Sequence, residues 1–301
     1  MDRRPVVIAH RGASALRPEH TLAAYELAIE AGADFIEPDV VATRDGRLVA
    51  RHENEISGTT DVADRPGFAP RRAVKEIDGV EREGWFTEDF TLAELRTLRV
   101  RERLPALRST AYDGRYGIPT IEEVVALAAS AGVGVYPETK HPSYFASIGL
   151  PLEEPLLAAL EATAGPVYIQ SFEAANLRVL RERTAHPLVR LVSPSRPDHG
   201  MADIASYADA VGPHKDQVIA RDEDGGLGEP TALVEDAHAA GLLVHPWTFR
   251  PEAEFLPAGM DPATELAAFF ALGVDGVFAD DPAAAVAVRA LANGNGAGWA
   301  R

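Results

Sequence analysis

Histidines, carboxylates and cations recur in this chain at the ends of short apolar runs. Residues 6–9 lead into His10-Arg11-Gly12, and the run over 35–41 carries Glu37-Pro38-Asp39. Residues 47–52 end in His52-Glu53, and the run over 134–138 ends in Glu138 before Thr139-Lys140. Glu37 and Asp39 are two apart on an expected strand, so their side chains leave the same face. With Glu138 arriving from the next strand, three carboxylates converge without thiolates. That donor set suits one hard divalent ion, Ca²⁺ or Mg²⁺. A Glu-x-Asp on a strand is more often half of a surface ion pair, but Phe35, Ile36, Val40 and Val41 around it favour burial.

His10 and His52 can divide the work of general base and general acid near neutral pH. Arg11 offers a planar donor fork to a phosphoryl group, and Lys140 adds a point charge. Such a set describes phosphoryl chemistry on a diester: the metal and cations balance charge on the equatorial oxygens while the histidines move protons. The sequence has no G-x-S-x-G elbow, no G-x-x-x-x-G-K-[ST] phosphate loop and no H-E-x-x-H zinc helix. Of the nine histidines, His141, His186, His199, His214 and His238 read as loop or helix-surface residues, and His245 as packed near a barrel mouth.

The elements that must position these residues alternate in type. Strands are expected over 6–10, 35–41, 134–138, 167–171, 188–192, 208–212, 242–247 and 273–279. Helices are expected over 21–31, 121–131, 151–163, 173–183, 201–207, 229–240, 262–272 and 282–292. Such alternation is the signature of βα units around a parallel sheet, and eight units suggest a closed (β/α)₈ TIM barrel. Thr120, Asp261 and Asp281 occupy N-cap positions, with Pro262 and Pro282 at first helical positions. Gly32, Gly132, Gly241 and Gly273 follow helices where a left-handed residue is wanted.

Residues 53–119 break the rhythm after the second strand and read as an inserted subdomain within one domain spanning 1–301, since a structureless loop that long is improbable. Residues 71–108 in its centre hold nine basic and eight acidic residues, and Trp85, Phe86, Phe90, Leu92, Leu95 and Leu98 give it something to pack. The stretch Gly294-Asn295-Gly296-Ala297-Gly298 resembles half of a dinucleotide fingerprint, but without flanking elements it reads as a frayed tail.

A chain of 301 residues that is 46% apolar can bury a large core, and a net charge of −17 argues against a general nucleic-acid binder. Zero cysteines exclude disulfides, thiolate metal sites and cysteine nucleophiles. No apolar run is long enough to span a bilayer, so no stable membrane insertion is expected. As written the chain shows no leader, so a cytoplasmic place is expected, or a secreted or periplasmic one if a signal has been removed.

These motifs match a known family in order. His10-Arg11-Gly12-Ala13-Ser14, Pro18-Glu19-His20-Thr21, Gly32-Ala33-Asp34 with Glu37-x-Asp39-Val40, Thr43-x-Asp45-Gly46 and then His52 closely resemble the glycerophosphodiester phosphodiesterases. Tyr136-x-Glu138-Thr139-Lys140, Gln170-Ser171-Phe172, Trp247-Thr248 and Phe278-Ala279-Asp280-Asp281-Pro282 continue the likeness, which covers essentially the full chain. The resemblance implies a TIM barrel with an insertion after the second strand, acting on a small-molecule glycerophosphodiester to give sn-glycerol 3-phosphate and an alcohol. It implies His10 and His52 as the acid/base pair, Glu37, Asp39 and Glu138 as metal ligands, and Arg11 and Lys140 on the phosphate. Phe172, Trp247 and Phe249 would wall the glycerol pocket. His20 stands where the family usually has Asn, and His52-Glu53 replaces the common His-Asp pair. The first of these departures, Thr59-Thr60-Asp61-Val62 and the insertion resemble the Ca²⁺-favouring, often periplasmic branch. The alternative reading is a phospholipase D-like barrel acting on lysophospholipids or sphingomyelin, against which Glu138-Thr139-Lys140 speaks.

Overall fold

A computed structural model of the chain describes residues 4–194 and 200–294. His199 and the glycine-rich stretch from Asn295 onward lie outside the described residues. The chain opens on β1 (Val6–His10), and its second barrel strand is broken at Pro38 into β2 (Phe35–Glu37) and β3 (Asp39–Ala42). β4 (Leu48–Ala50) folds back antiparallel on β3, and β5 (Ala73–Ile77) and β6 (Val80–Gly84) form a separate hairpin. The third barrel strand is broken at Tyr136-Pro137 into β7 (Gly134–Val135) and β8 (Glu138–Thr139). β9 (Ile169–Ser171), β10 (Leu188–Val192) and β11 (Ala210–Pro213) follow. After a hairpin of β12 (Ile219–Arg221) and β13 (Leu227–Pro230) come β14 (Leu243–Val244) and β15 (Gly276–Ala279).

Parallel pairing runs β15-β1-β2-β7 along one arc and β14-β11-β10-β9-β8-β3 along the other. The split strands join the arcs at one seam, and a parallel bridge between Phe249 and Ala279 joins them at the other. The ring is thus a closed eight-stranded TIM barrel. Ile8, Phe35, Tyr136, Val189, Ala210 and Phe278 fill its interior, each fully or almost fully buried. Burying a side chain of this size contributes roughly 1.5–3 kcal/mol. His245 belongs to this plug, its Nδ1 hydrogen-bonded to the Tyr136 hydroxyl at 2.8 Å, rather than to the barrel mouth.

The helix over Ile121–Ala131 has the expected bounds, with a Thr120–Glu123 capping box at one end and Gly132 at φ +69° at the other. Gly32, Gly241 and Gly273 are left-handed as expected, and Asp261 and Asp281 cap their helices. Other bounds are corrected. The helix expected over 151–163 is Glu153–Leu160, preceded by a turn of helix at Pro142–Ser147, and that expected over 229–240 starts only at Leu233 because Leu227–Pro230 pairs as β13. The strands expected from 208 and from 273 start late, at Ala210 and Gly276, because the aspartate before each serves as an acceptor. Asp209 takes the N–H of Leu188 and Asp275 that of Val244, as Asp34 takes that of Val7. Each carboxylate ties the start of one strand to its neighbour.

Residues 53–119 hold the β5–β6 hairpin, three 3₁₀ turns and a one-turn helix at Leu92–Leu95. Trp85, Phe90, Leu95 and Leu98 bury against the same apolar cluster as Val40 and Leu48 of the barrel. Among the described residues no helix is long and apolar enough to cross a membrane.

Candidate active site

The C-terminal ends of the barrel strands surround a cavity of about 460 Å³. Glu37 and Glu138 line it, and with Asp39 they form a buried group in which each offers an oxygen within 4.8 Å of the other two. The register explains the convergence: Asp39 pairs with Glu138 across β3 and β8, and Glu37 with His10 across β2 and β1. Glu37 accepts from the backbone N–H of Arg11 at 2.8 Å and from Gln170 Nε2 at 2.9 Å. Asp39 Oδ2 is hydrogen-bonded to His20 Nε2 at 2.8 Å and lies 3.2 Å from Arg11 Nε. Lys140 Nζ lies 2.6 Å from Glu138 and 3.2 Å from Asp39.

Two cations thus face three buried carboxylates, and Arg11 is also bound to Glu19. Burial, Asp39 and Glu138 push Glu37 well above the usual carboxylate range. Burial raises Glu138 to about 8 against the pull of Lys140, with Asp39 adding to the rise. Burial would raise Asp39 too, but Lys140, His20, His52 and Arg11 hold it well below its ordinary value. Three converging hard oxygens whose surroundings cannot keep all three carboxylates ionised without further positive charge fit a divalent cation.

Each of the two histidines is held by a carboxylate. His10 Nδ1 is 2.6 Å from Asp280 Oδ1, and His52 Nδ1 is 2.6 Å from Glu53 Oε1. Both pairings leave Nε2 as the nitrogen available to the cavity. Burial and Arg11 lower His10 to about 4 against the raising effect of Asp280. Burial, Arg11 and Lys140 lower His52 to about 3 against Glu53. Both imidazoles are therefore neutral in the free protein at neutral pH.

The turn after β1 is strained in a way that serves the site. Arg11 sits at φ +60° and Gly12 at φ +89°, which aims the Arg11 N–H at Glu37. A Cβ on Gly12 would lie 2.6 Å from the Ala24 carbonyl carbon. Gly12→Ala is expected to cost more than about 1 kcal/mol, since both the left-handed backbone and the close approach are lost. Urea unfolding monitored by circular dichroism measures this, and an unchanged midpoint would contradict it.

The cavity walls carry Phe172 and Trp247, edge-on to each other at 5.5 Å. Phe249 does not line the cavity. Its N–H donates to Phe278 O, and its ring packs at 4.8 Å on Phe269 of the outer helix Pro262–Ala271. The hairpin β5–β6 brings Asp78 and Arg82 to the rim, where Asp78 pairs with His141 at 2.9 Å. His141 is thus a cavity residue rather than a plain surface one.

Several site residues carry no signal of their own in the sequence. His20 is fully buried and links Tyr25 to Asp39. Glu19 joins Arg11 to Arg103, and Asp280 joins His10 to Arg108 and Arg250. Only the ordered motifs Pro18-Glu19-His20-Thr21 and Asp280-Asp281-Pro282 hinted at any of them.

The carboxylate shifts predict a pH dependence of stability. A carboxyl whose folded pKa is raised stabilises the protein fully below its unfolded value near 4.5, and that stability is lost as pH rises towards 8. The depressed histidines act oppositely, through and below their unfolded value near 6.5, and contribute little above about pH 7.5. Between pH 7.5 and 8.5 the metal-free protein is therefore expected to lose about 0.5–1 kcal/mol, with Tm falling accordingly. Millimolar Mg²⁺ or Ca²⁺ should abolish the fall. A Tm that is flat or rising in chelator across that window would contradict the charge balance described.

Known proteins resemble this chain in sequence and in fold. The family model described as "Glycerophosphoryl diester phosphodiesterase family" matches residues 10–284. A glycerophosphodiester phosphodiesterase of Arabidopsis thaliana is 35% identical, covering 92% of this chain and 84% of its own length. One from Bacillus subtilis is 30% identical over 83% of this chain and 78% of its own. Among solved structures, an Oleispira antarctica phosphodiesterase in complex with the product sn-glycerol-3-phosphate superposes with a TM-score of 0.66 at 24% identity, covering 94% of this chain and 96% of that one. A glycerophosphodiester phosphodiesterase from Thermotoga maritima gives a TM-score of 0.63 at 19% identity, over 94% and 98%. Both share the fold.

Proposed function

Because the chain belongs to the glycerophosphoryl diester phosphodiesterase family, we propose that it cleaves small glycerophosphodiesters, such as glycerophosphocholine or glycerophosphoethanolamine, to sn-glycerol 3-phosphate and an alcohol. It is an enzyme of the phosphodiester hydrolase class. The observation that carries the finer reading is one cavity lined by two carboxylate-held histidines, Arg11, Lys140, Glu37 and Glu138, with Asp39 buried within 4.8 Å of the last two.

In this reading Glu37, Asp39 and Glu138 hold one divalent ion, Ca²⁺ or Mg²⁺, which when bound supplies positive charge to the phosphoryl group as the transition state forms. Arg11 and Lys140 bind the non-bridging oxygens and orient the diester. One imidazole takes the proton of the glycerol 2-hydroxyl as its oxygen bonds to phosphorus. The phosphorus–oxygen bond to the alcohol breaks, and the other imidazole, protonated, gives its proton to the departing alkoxide. Water then opens the cyclic phosphate with the two roles exchanged. The neutral resting state of both histidines supports a base role for either. The anionic diester raises the pKa of the imidazole beside it, which forms the acid only when substrate is bound. Phe172 and Trp247 serve as walls for the glycerol unit. We read residues 53–119 as a subdomain inserted into a single barrel domain, its hairpin facing the alcohol half of the substrate.

A headgroup panel tests the reading: choline, ethanolamine, glycerol and inositol diesters assayed with Ca²⁺ or Mg²⁺ restored to chelated enzyme. The expected result is metal-dependent release of glycerol 3-phosphate from at least one diester. Cleavage of a lysophospholipid or sphingomyelin with none of the deacylated diesters turned over would overturn it.

A further inference from the structure

Behind His10 and His52 of the cavity stands a carboxylate each, and behind each of those carboxylates stands an arginine from a single short stretch of the 53–119 segment. Arg103 donates to both oxygens of Glu53, at 2.9 and 2.6 Å, and to both oxygens of Glu19, at 2.8 and 2.7 Å. Glu53 holds His52 Nδ1, and Glu19 holds Arg11. Five residues on, Arg108 donates to Glu252 at 2.5 and 3.2 Å, to Asp280 Oδ2 at 2.5 Å and to the Ser14 carbonyl at 2.9 Å. The other oxygen of Asp280 holds His10 Nδ1.

A plain loop staple does not account for this arrangement. The stretch between the two arginines has neither helix nor strand, and Pro105, Ala106 and Leu107 are exposed. An anchor built for stability would bury Leu107, whereas this one turns two guanidinium groups inward, with the Arg108 side chain 6% exposed and the Arg103 side chain 27%. Buried ion pairs seldom add net stability, because desolvation offsets the attraction. They do fix direction, since an arginine fork bound to two carboxylates leaves neither free to rotate.

We propose that Arg103 and Arg108 are a paired positioning device that sets the orientation of both histidines, through Glu53 and Asp280, so that the placement of the 53–119 segment and the alignment of the acid/base pair are one event. This rests on the acid/base reading of His10 and His52. Neither arginine lines the cavity, so neither touches substrate in this assignment. Partners placed behind a site's working groups in this way are generally worth about 10- to 100-fold in activity.

The test is steady-state kinetics of the metal-loaded enzyme. Arg103→Ala and Arg108→Ala are each expected to lower kcat about 10- to 100-fold with KM within about threefold. On an Asp280→Asn background, Arg108→Ala should cost less than about twofold more, because the path to His10 is already cut. Arg103→Ala on Glu53→Gln should keep only the part that runs through Glu19 and Arg11. Where an alanine variant fails to fold, Arg103→Lys or Arg108→Lys, which keeps the charge but not the fork, enters the same cycle. Full kcat in the single variants, a loss in KM alone, or losses that multiply in the Arg108 cycle would overturn the proposal. If His10→Ala and His52→Ala are themselves fully active, the acid/base reading has failed instead.

Discussion

Replacing His10 or His52 by alanine is expected to lower kcat by about 10²- to 10⁴-fold, the range typical for loss of a positioned acid or base. Neither substitution strands a charge. Without His10, Asp280 keeps Arg108 and Arg250, and without His52, Glu53 keeps Arg103. The folded state should therefore survive, and circular dichroism with thermal melting verifies that before kinetics are compared. If both imidazoles act in one proton-transfer sequence, as proposed, the double variant should be little worse than the poorer single one. Full activity in either single variant would remove the two-histidine mechanism.

Loss of a divalent ion from the carboxylate cluster is expected to have an effect of comparable size. Chelation is expected to reduce turnover to background, and Glu138→Gln to make that loss permanent at ordinary metal concentrations. The same substitution should stabilise the metal-free protein above pH 7. A neutral amide mimics the protonated acid that burial favours, and it can donate to Asp39 as that acid does. Opposite signs in activity and apo stability are the diagnostic, since a plain packing defect lowers both. An active Glu138→Gln enzyme that still responds to chelator would exclude Glu138 as a ligand.

Much of the fold was legible because local signals agreed. Thr120, Asp261 and Asp281 capped the helices they were expected to cap, and the periodicities of 6–10, 121–131 and 188–192 returned those elements with their bounds. The strands that carry the carboxylates were harder to bound. Pro38 and Pro137 have no N–H for the ladder, so each expected strand is two short ones. The site was legible where residues sit on strands, since a two-residue period places Glu37 and Asp39 together. Phe249 shows where that rule stops. After β14 the chain leaves regular pairing, its N–H turns to Phe278 O, and the ring faces the outer helix. His20, at φ +54°, and Arg103 and Arg108 lie on irregular backbone. Direction there is set by partners up to 172 residues away along the chain, which no local pattern encodes.

The plug of Phe35, Tyr136, Tyr168 and Phe278, with His245 bonded into it, closes the barrel beneath the carboxylates. The cavity is thus closed at its base, and its doorway lies at the C-terminal ends of the strands. On the proposed mechanism that shape would order the traffic: an alcohol nearest the mouth would depart before a water molecule takes its place, and glycerol phosphate would leave last. An alcohol bulky enough to linger in the doorway would hold the cyclic phosphate behind it, slowing the second half of the cycle without touching the first.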